Sequence, residues 1–475
     1  MKSKMIAFRV SCCLFLCFFA ANYMYAVEFK DSVFKKMNIP CIVVSTIDAE
    51  EPVENWIYAP EGYSGQTNDA KYVKGKLTLS LNDSVYYDSG EYLSDVSGMR
   101  IKVRGNSSAL WAKKSFKVKL TKKADLFFRD DSKYKSKEWI LLNCPKLDLN
   151  TVAGFEVCKI VGMEWTPECQ FVNLIINDDY RGVYVMTEAV EKGKGRIDIS
   201  DDGFVIEDDA YWWGEDLYFK GNMLPDYEGY TFKYPDVEDI DDSLLGQIKD
   251  YVCAVEDKLL SYEDVGSYLD MESFAKWLLV HDILGTEDGR GSNRYFYKNS
   301  LSDGSLMKIG PVWDLDNIFA IKDDWSQQHS GNYRFYYKYL LEYASFKNEF
   351  QNQWEQVKYT LYDDIVSFLD NLKTECGEDL DFSRYQDSQR WKKSTFVSLE
   401  EEIAKVDTWM KERIVWIDEN INVSTCIEYV RVEESGQNNG IWLLDGRKLD
   451  ENMPVPAGLY IIDGKKCLIT GGRSF

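Results

Sequence analysis

The chain has 475 residues, 45% of them hydrophobic and 15% aromatic, which is enough apolar material for a large core and too much for one small domain. Its 56 basic and 79 acidic residues leave a formal charge of −23, so nucleic acid and anionic lipid are repelled and neither is an expected partner. With only two histidines, His281 and His329, a three-histidine zinc site is excluded and a serine hydrolase would have to draw its base from that pair.

The N-terminus reads as an export signal over residues 1–26. Lys2, Lys4 and Arg9 precede an apolar run from Val10 to Ala20, with cleavage after Ala26, and the run is too short for a membrane span. Export places the mature chain outside the cell or at its surface, with a periplasmic or lipid-anchored form as variants of the same reading. Beyond the signal no segment approaches 18 consecutive apolar residues, so no transmembrane helix is expected. Eight cysteines remain (Cys41, Cys144, Cys158, Cys169, Cys253, Cys376, Cys426 and Cys467), and none forms a C-x-x-C pair. An even number permits disulfides after export, and buried thiols are the plainer alternative.

In chain order, I-P-C-I-V-V-S from Ile39 is a short buried strand, and residues 55–75 are a turn-rich connection. K-L-T-L-S-L at 76–81 alternates as a half-buried strand does. Strands at 99–103 and 116–120 flank R-G-N-S-S-A-L-W-A-K-K. Residues 148–161 have helical spacing and end at Gly162; 171–176 and 183–186 form a hairpin across N-D-D-Y-R-G. K-G-K-G-R at 192–196 lacks phosphate-loop spacing and reads as a basic turn. Short strands at 203–206 and 230–234 surround Y-W-W-G-E-D-L-Y-F, and helices dominate 244–260, 273–285, 354–372 and 396–421. His281 falls inside the second of these, the amphipathic segment S-F-A-K-W-L-L-V-H-D-I-L-G, as a structural histidine, and His329 lies in a polar run. The expected architecture is α+β. A mixed N-lobe spans about 38–190 and a mostly helical C-lobe about 200–425, inside one domain of residues 27–425. After Asn422, two D-G turns between apolar runs suggest a separate β-rich module over 426–475.

The stretch from Ser273 to Phe319 carries the chemistry. It reads helix, polar loop, strand, hairpin, strand, acidic pair. Asp288 stands five residues before Asn293, and the second strand delivers Asp314 and Asp316. Protein kinases arrange their parts in this order: an Asp that orients the hydroxyl, an Asn five residues on, and a metal-binding Asp after the next hairpin. Asp288 is therefore the candidate catalytic residue, against a turn-forming Asp as the plain alternative. Asn293 would bind metal through its amide oxygen, against a capping role. Asp314 and Asp316 should face one ion from an extended segment, since hard divalent cations take oxygen ligands. The plain alternative is surface acidity. Phosphate-neutralising cations are sought in Arg104, Lys114, Lys117 and Lys119; Lys117 and Lys119 share the strand face opposite Phe116 and Val118, as catalytic groups or as a solvated edge. Glu156 on the 148–161 helix is the candidate partner of that lysine.

Six motifs in order extend this reading: R-G-N-S-S at 104–108, K-K-S-F-K-V-K at 113–119, N-D-D-Y-R-G-V-Y-V-M-T-E at 177–188, G-F-V-I-E-D-D at 203–209, F-K-Y-P-D at 232–236 and P-V-W-D-L-D at 311–316. Over roughly residues 38–420 the chain resembles the CotH family, the spore-coat-protein-H-like atypical kinases. The resemblance implies a diverged two-lobed kinase-like fold and transfer of phosphate from ATP to protein side chains with Mg²⁺ or Mn²⁺. The tail is similar to small β modules of secreted Bacteroidetes proteins. No G-x-G-x-x-G loop precedes the basic strand and no H-R-D precedes Asp288, so phosphate cradling falls to the R-G-N-S-S backbone. The competing reading is an inactive kinase-like scaffold that binds surface proteins or glycans, with Trp212 and Trp213 stacking on sugars.

Overall fold

The computed structural model describes residues 31–143, 149–286, 289, 291–319, 335–392 and 396–421, with the backbone of strands at 441–442, 458–462 and 465–469. The chain divides into two compact units, Met1–Val423 and Ser424–Phe475. In the second, strands Ile441–Trp442, Gly458–Ile462 and Lys465–Ile469 pair antiparallel in that order. The expected signal segment, Asp288 and His329 lie outside the described residues.

Among the described residues the first unit has the short helix α1 (Asp31–Phe34) and then a β-barrel. Its strands are β1 (Cys41–Thr46), β4 (Val73–Leu81), β6 (Met99–Arg104), β7 (Ser115–Ala124), β8 (Ser136–Leu142), β9 (Cys169–Ile176) and β10 (Asp179–Glu188); β2 (Trp56–Tyr58) and β3 (Gln66–Asn68) form a side hairpin. The order β1-β9-β10-β8-β7-β6-β4 closes on itself because β1 also pairs with β4, from Cys41↔Ser80 to Thr46↔Gly75. β5 (Ser84–Asp88) extends β4 as a hairpin outside the ring. A Cβ at Gly75 would strike the Ser45 carbonyl oxygen, so glycine permits the close approach that completes the barrel. Alternate residues fill the interior: Leu77 and Leu79, Met99, Ile101 and Val103, Phe116, Val118 and Leu120, Trp139 and Leu141, Val172, Leu174 and Ile176. The β9–β10 hairpin turns at Asn177 and Asp178, with φ 51° and 63°, the left-handed pair that a two-residue hairpin needs.

The second part of the unit has an antiparallel sheet of β11 (Phe204–Asp209), β12 (Tyr218–Phe219), β13 (Gly229–Tyr234), β14 (Arg294–Lys298) and β15 (Lys308–Ile309), in order β12-β13-β11-β14-β15. Around it pack α2 (Asn150–Val161), α3 (Asp242–Leu260), α4 (Met271–Leu284), α5 (Tyr336–Leu340), α6 (Ala344–Val357), α7 (Leu361–Arg390) and α8 (Leu399–Asn420). Ten of the fourteen residues of α4 are buried, so it is a central helix rather than the amphipathic one its sequence suggested. Asp270 caps its start by accepting from Ser273 N, and it ends as expected at Gly285, left-handed at φ 65°. Trp409 Nε1 donates to Ile283 O at 2.9 Å and Arg413 Nε to Asp282 O at 2.6 Å, which fix its C-terminal turn.

The mixed α+β class agrees with expectation. The described residues hold two large apolar cores: one fills the barrel interior, and the other holds α2, the outer faces of β9 and β10 (Phe171, Val183, Val185), the second sheet and the C-terminal helices. The helix expected over 354–372 is the end of α6 and the start of α7, which runs for 30 residues back to the barrel. There Asp387 pairs with Lys113 at 2.5 Å and accepts from Val183 N at 3.0 Å. The thiols of Cys158, Cys253 and Cys376 are free, and among the described residues no helix is long and apolar enough to cross a membrane.

Candidate functional site

A cavity of about 610 Å³ opens where the end of β6, the end of β11, β13, the loop before β14 and the segment after β15 converge. Its first wall is the R-G-N-S-S turn. Gly105, at φ 86°, makes this turn because a Cβ there would strike Ser108 Oγ. Asn106 Oδ1 accepts from Thr67 Oγ1 at 2.8 Å and Asn68 N at 3.2 Å. Lys114 Nζ donates to Ala109 O at 2.7 Å and pairs with Glu54 at 3.2 Å, so this lysine buttresses the turn and does not line the cavity. Arg104 does line it, with its guanidinium 6.0 Å from the Trp313 ring centre.

Lys117 and Lys119 point away from the cavity. Both pair with Glu138 of β8, Lys119 at 3.1 Å. Burial pushes the Glu138 carboxyl up, but the two lysines outweigh it and hold the group below its ordinary range. Glu156 lies 3.7 Å from Lys159, and burial raises its carboxyl above the ordinary value. The expected Glu156–lysine pair across strand and helix therefore does not form. The strand lysines already have a cross-strand partner, and Glu156 has one on its own helix.

β11 supplies the cavity floor. Glu207 and Asp209 face the cavity, while Asp208 between them turns to Arg294 Nε at 2.8 Å. Glu207 pairs at 2.5 Å with Lys233 of β13, which also lines the cavity. Burial pushes the Glu207 carboxyl up to about 7 against the pull of Lys233. For Lys233, burial favours the neutral amine, but Glu207 and Asp209 outweigh it and hold the ammonium form beyond its ordinary range. Asp209 accepts from Ser292 Oγ at 2.6 Å and Tyr211 N at 2.7 Å. Ser292 N in turn donates to Asp208 O at 2.5 Å. These bonds hold Ser292 at φ 77° and pin to β11 the loop that presents buried Asn293 to the cavity.

The acidic pair arrives by a different route from the one expected. β15 stops at Ile309, and a cis Gly310–Pro311 peptide leads into an irregular segment. Asp314 sits at φ 63°, a left-handed conformation that Asp tolerates better than most residues. Asp314 and Asp316 are both exposed and line the cavity, because Leu315 between them is buried. α2 holds this segment. Asn150 Nδ2 donates to Asp316 O at 2.9 Å, and Gly154 leaves room for Leu315 and Ile318, whose Cδ1 atoms lie 2.8 and 2.9 Å from where a Cβ would stand.

Of the residues singled out in the sequence, Arg104, Asn293, Asp314 and Asp316 thus share one cavity, Lys114, Lys117, Lys119 and Glu156 lie elsewhere, and Asp288 falls outside the described residues. Lys233, Glu207 and Asp209 were missed. Acids embedded in the apolar strand F-V-I-E-D-D were the signal, the same one that marked Asp314. Among the described residues no group of three or more His, Cys, Asp or Glu is placed to hold a metal ion. Asp314, Asp316 and Asn293 offer the cavity two carboxylates and an amide oxygen, a set of hard donors that suits Mg²⁺ or Mn²⁺ once substrate oxygens complete it.

Two other expectations resolve in the same region. Trp212 is buried, with Tyr63 and Tyr218 at 5.2 and 4.3 Å and Lys220 Nζ over its ring at 3.9 Å, so it offers no face to a sugar. His281 is structural: buried, its Nδ1 2.8 Å from Trp277 O and its ring stacked on Trp277.

The family model described as CotH kinase protein matches residues 101–417, which is 317 of the 475 residues. No curated protein matches the chain.

Proposed function

The chain belongs to the CotH kinase family, and from that premise we propose that it is a secreted protein kinase, transferring the γ-phosphate of ATP to a Ser or Thr hydroxyl of an exported or surface protein. The observation that carries this reading is the convergence of Arg104, Lys233, Asn293, Asp314 and Asp316 on one cavity. A chain with net charge −23 repels a polyphosphate in general, so binding one demands local cations. Arg104 and Lys233 are those cations. Arg104 offers a planar fork to phosphate oxygens, and Lys233 is held charged by Glu207 at the floor. Asn293, Asp314 and Asp316 would hold Mg²⁺ or Mn²⁺, which when bound neutralises charge on the phosphate oxygens. Asp288, five residues before Asn293, accepts the proton of the attacking hydroxyl. The hydroxyl oxygen then bonds to the γ-phosphorus as the bond to the β-phosphate bridging oxygen breaks. Ser292 and Asp209 position the loop that carries both residues. The test is label transfer from γ-labelled ATP to a generic protein acceptor by the mature chain, beside Asp288→Ala and Asp314→Ala. Transfer by the wild type alone supports the reading; transfer retained in both variants removes the assigned roles.

A further inference from the structure

We propose that Trp111 is the platform on which the nucleotide base stacks, an inference that rests on the kinase reading above. With the phosphates at Arg104 and Lys233, the nucleoside must occupy the rest of the same cavity, whose volume of about 610 Å³ is ample for one. A base in water-exposed protein needs a flat apolar face. Most of the other aromatic rings lining the cavity have none to give: Phe155, Tyr295 and Trp313 are 1%, 5% and 7% exposed, and Trp313 is already covered by Phe155 at 5.9 Å and the Arg104 guanidinium. The remaining lining is dominated by Ser, Asn, Glu, Asp and Lys, so there is no closed apolar slot. Trp111 combines a place in the lining with 56% exposure, and is more open than half-buried Tyr211, the fifth aromatic ring of the lining.

The exposure of Trp111 is built in rather than left over. It follows the 3₁₀ turn Ser107–Leu110 and donates N–H to Ser108 O at 3.3 Å. That turn is held from beneath by fully buried Ala109, by the bonds to Asn106, and by Lys114 on Ala109 O. Arg104 and Trp111 therefore belong to one anchored loop, seven residues apart, that would present a cation to the phosphates and a ring to the base. A ring fixed in advance loses little freedom on binding. The stacking ligand is thus a nucleoside triphosphate recognised by its π-face, with weak discrimination between adenine and guanine.

Titrating the mature chain with ATP, GTP and inorganic tripolyphosphate, each with Mn²⁺, by calorimetry tests this. Trp111→Ala should weaken ATP and GTP on the order of tenfold and leave tripolyphosphate unchanged, while Trp111→Phe keeps most of the affinity. Equal weakening of all three ligands would mean that Trp111 merely supports the loop and would overturn the inference. So would unchanged nucleotide affinity with a raised KM for protein acceptor, which would make the exposed pair Leu110–Trp111 an acceptor dock. If the wild type binds tripolyphosphate but ATP no more tightly, the base platform fails while the phosphate site stands. If it binds neither, the kinase reading fails with it.

Discussion

Replacing Asp387 tests how the barrel is joined to the helices. Its carboxylate is fully buried and accepts from Lys113 Nζ at 2.5 Å and from Val183 N at 3.0 Å. The Lys113 side chain is only 5% exposed and also donates to Val183 O at 2.5 Å. Both charges are out of water, so the pair itself contributes little net stability, yet removing one partner strands the other. Asp387→Ala leaves a buried ammonium and an orphaned Val183 N–H; the first costs about 3–5 kcal/mol and the second about 1–3 kcal/mol, less whatever water enters. We expect a loss of about 4 kcal/mol. Asp387→Asn, which keeps an acceptor for Val183 N, should lose about 3 kcal/mol. The double variant Lys113→Met, Asp387→Leu replaces both charges by apolar groups and should recover to within about 2 kcal/mol of wild type. Guanidinium unfolding of the full chain, followed by circular dichroism, measures all three. An alanine variant within about 1 kcal/mol of wild type, or a double variant that loses as much as Asp387→Ala, would refute the argument.

Three further outcomes follow from the same physical reasoning. Burial holds the His281 imidazole at about 4, below its ordinary value of 6.5, so the unfolded chain binds the proton that the folded chain refuses. Its contribution is complete above pH 6.5 and disappears as pH falls towards 4, a swing of about 3 kcal/mol; His281→Phe should flatten that part of the stability profile, and an unchanged slope would contradict the assignment. Glu207→Gln removes the main group that keeps Lys233 protonated, so ATP affinity should fall as pH rises from about 8 to 10 in the variant and stay level in the wild type, whose Glu207 is already ionised over that range. A pH-independent variant would show that Lys233 keeps its charge without Glu207. Ser292→Ala removes the 2.6 Å bond to Asp209; kcat should drop about tenfold with KM and melting temperature nearly unchanged, whereas a change in KM alone would place Ser292 in ground-state binding.

Alternation made the barrel strands legible: K-L-T-L-S-L and F-K-V-K-L place every second side chain inside, as found for Leu77, Leu79, Phe116 and Val118. Barrel closure was not legible, because it depends on the pairing of β1 with β4, which no local pattern announces. β8 escaped notice for a related reason. In W-I-L-L, Trp139 and Leu141 point into the barrel while Ile140 is also buried on the other face, so alternation vanishes. The length of α7 was hidden by its many acidic and polar residues, since a helix lying along a surface shows only a narrow apolar stripe. In the cavity, Arg104, Asn293, Asp314 and Asp316 could be picked out from the order of kinase-like parts. Lys233 could not, because nothing in the spacing reveals that β11 and β13 are neighbours, and the denser basic run at 113–119 offered more obvious cations. Those lysines instead offset Glu138 on the barrel surface and brace the turn that carries Arg104.

The central claim is that the cavity lined by Arg104, Lys233, Asn293, Asp314 and Asp316 moves phosphate from ATP to protein. Incubating residues 27–475 of the chain with γ-labelled ATP, Mn²⁺ or Mg²⁺ and a generic protein acceptor tests it most directly. The account predicts label on serine or threonine of the acceptor with the wild type, and none above background with Asp288→Ala or Lys233→Met. No transfer with either metal, together with no calorimetric signal for ATP, would contradict it.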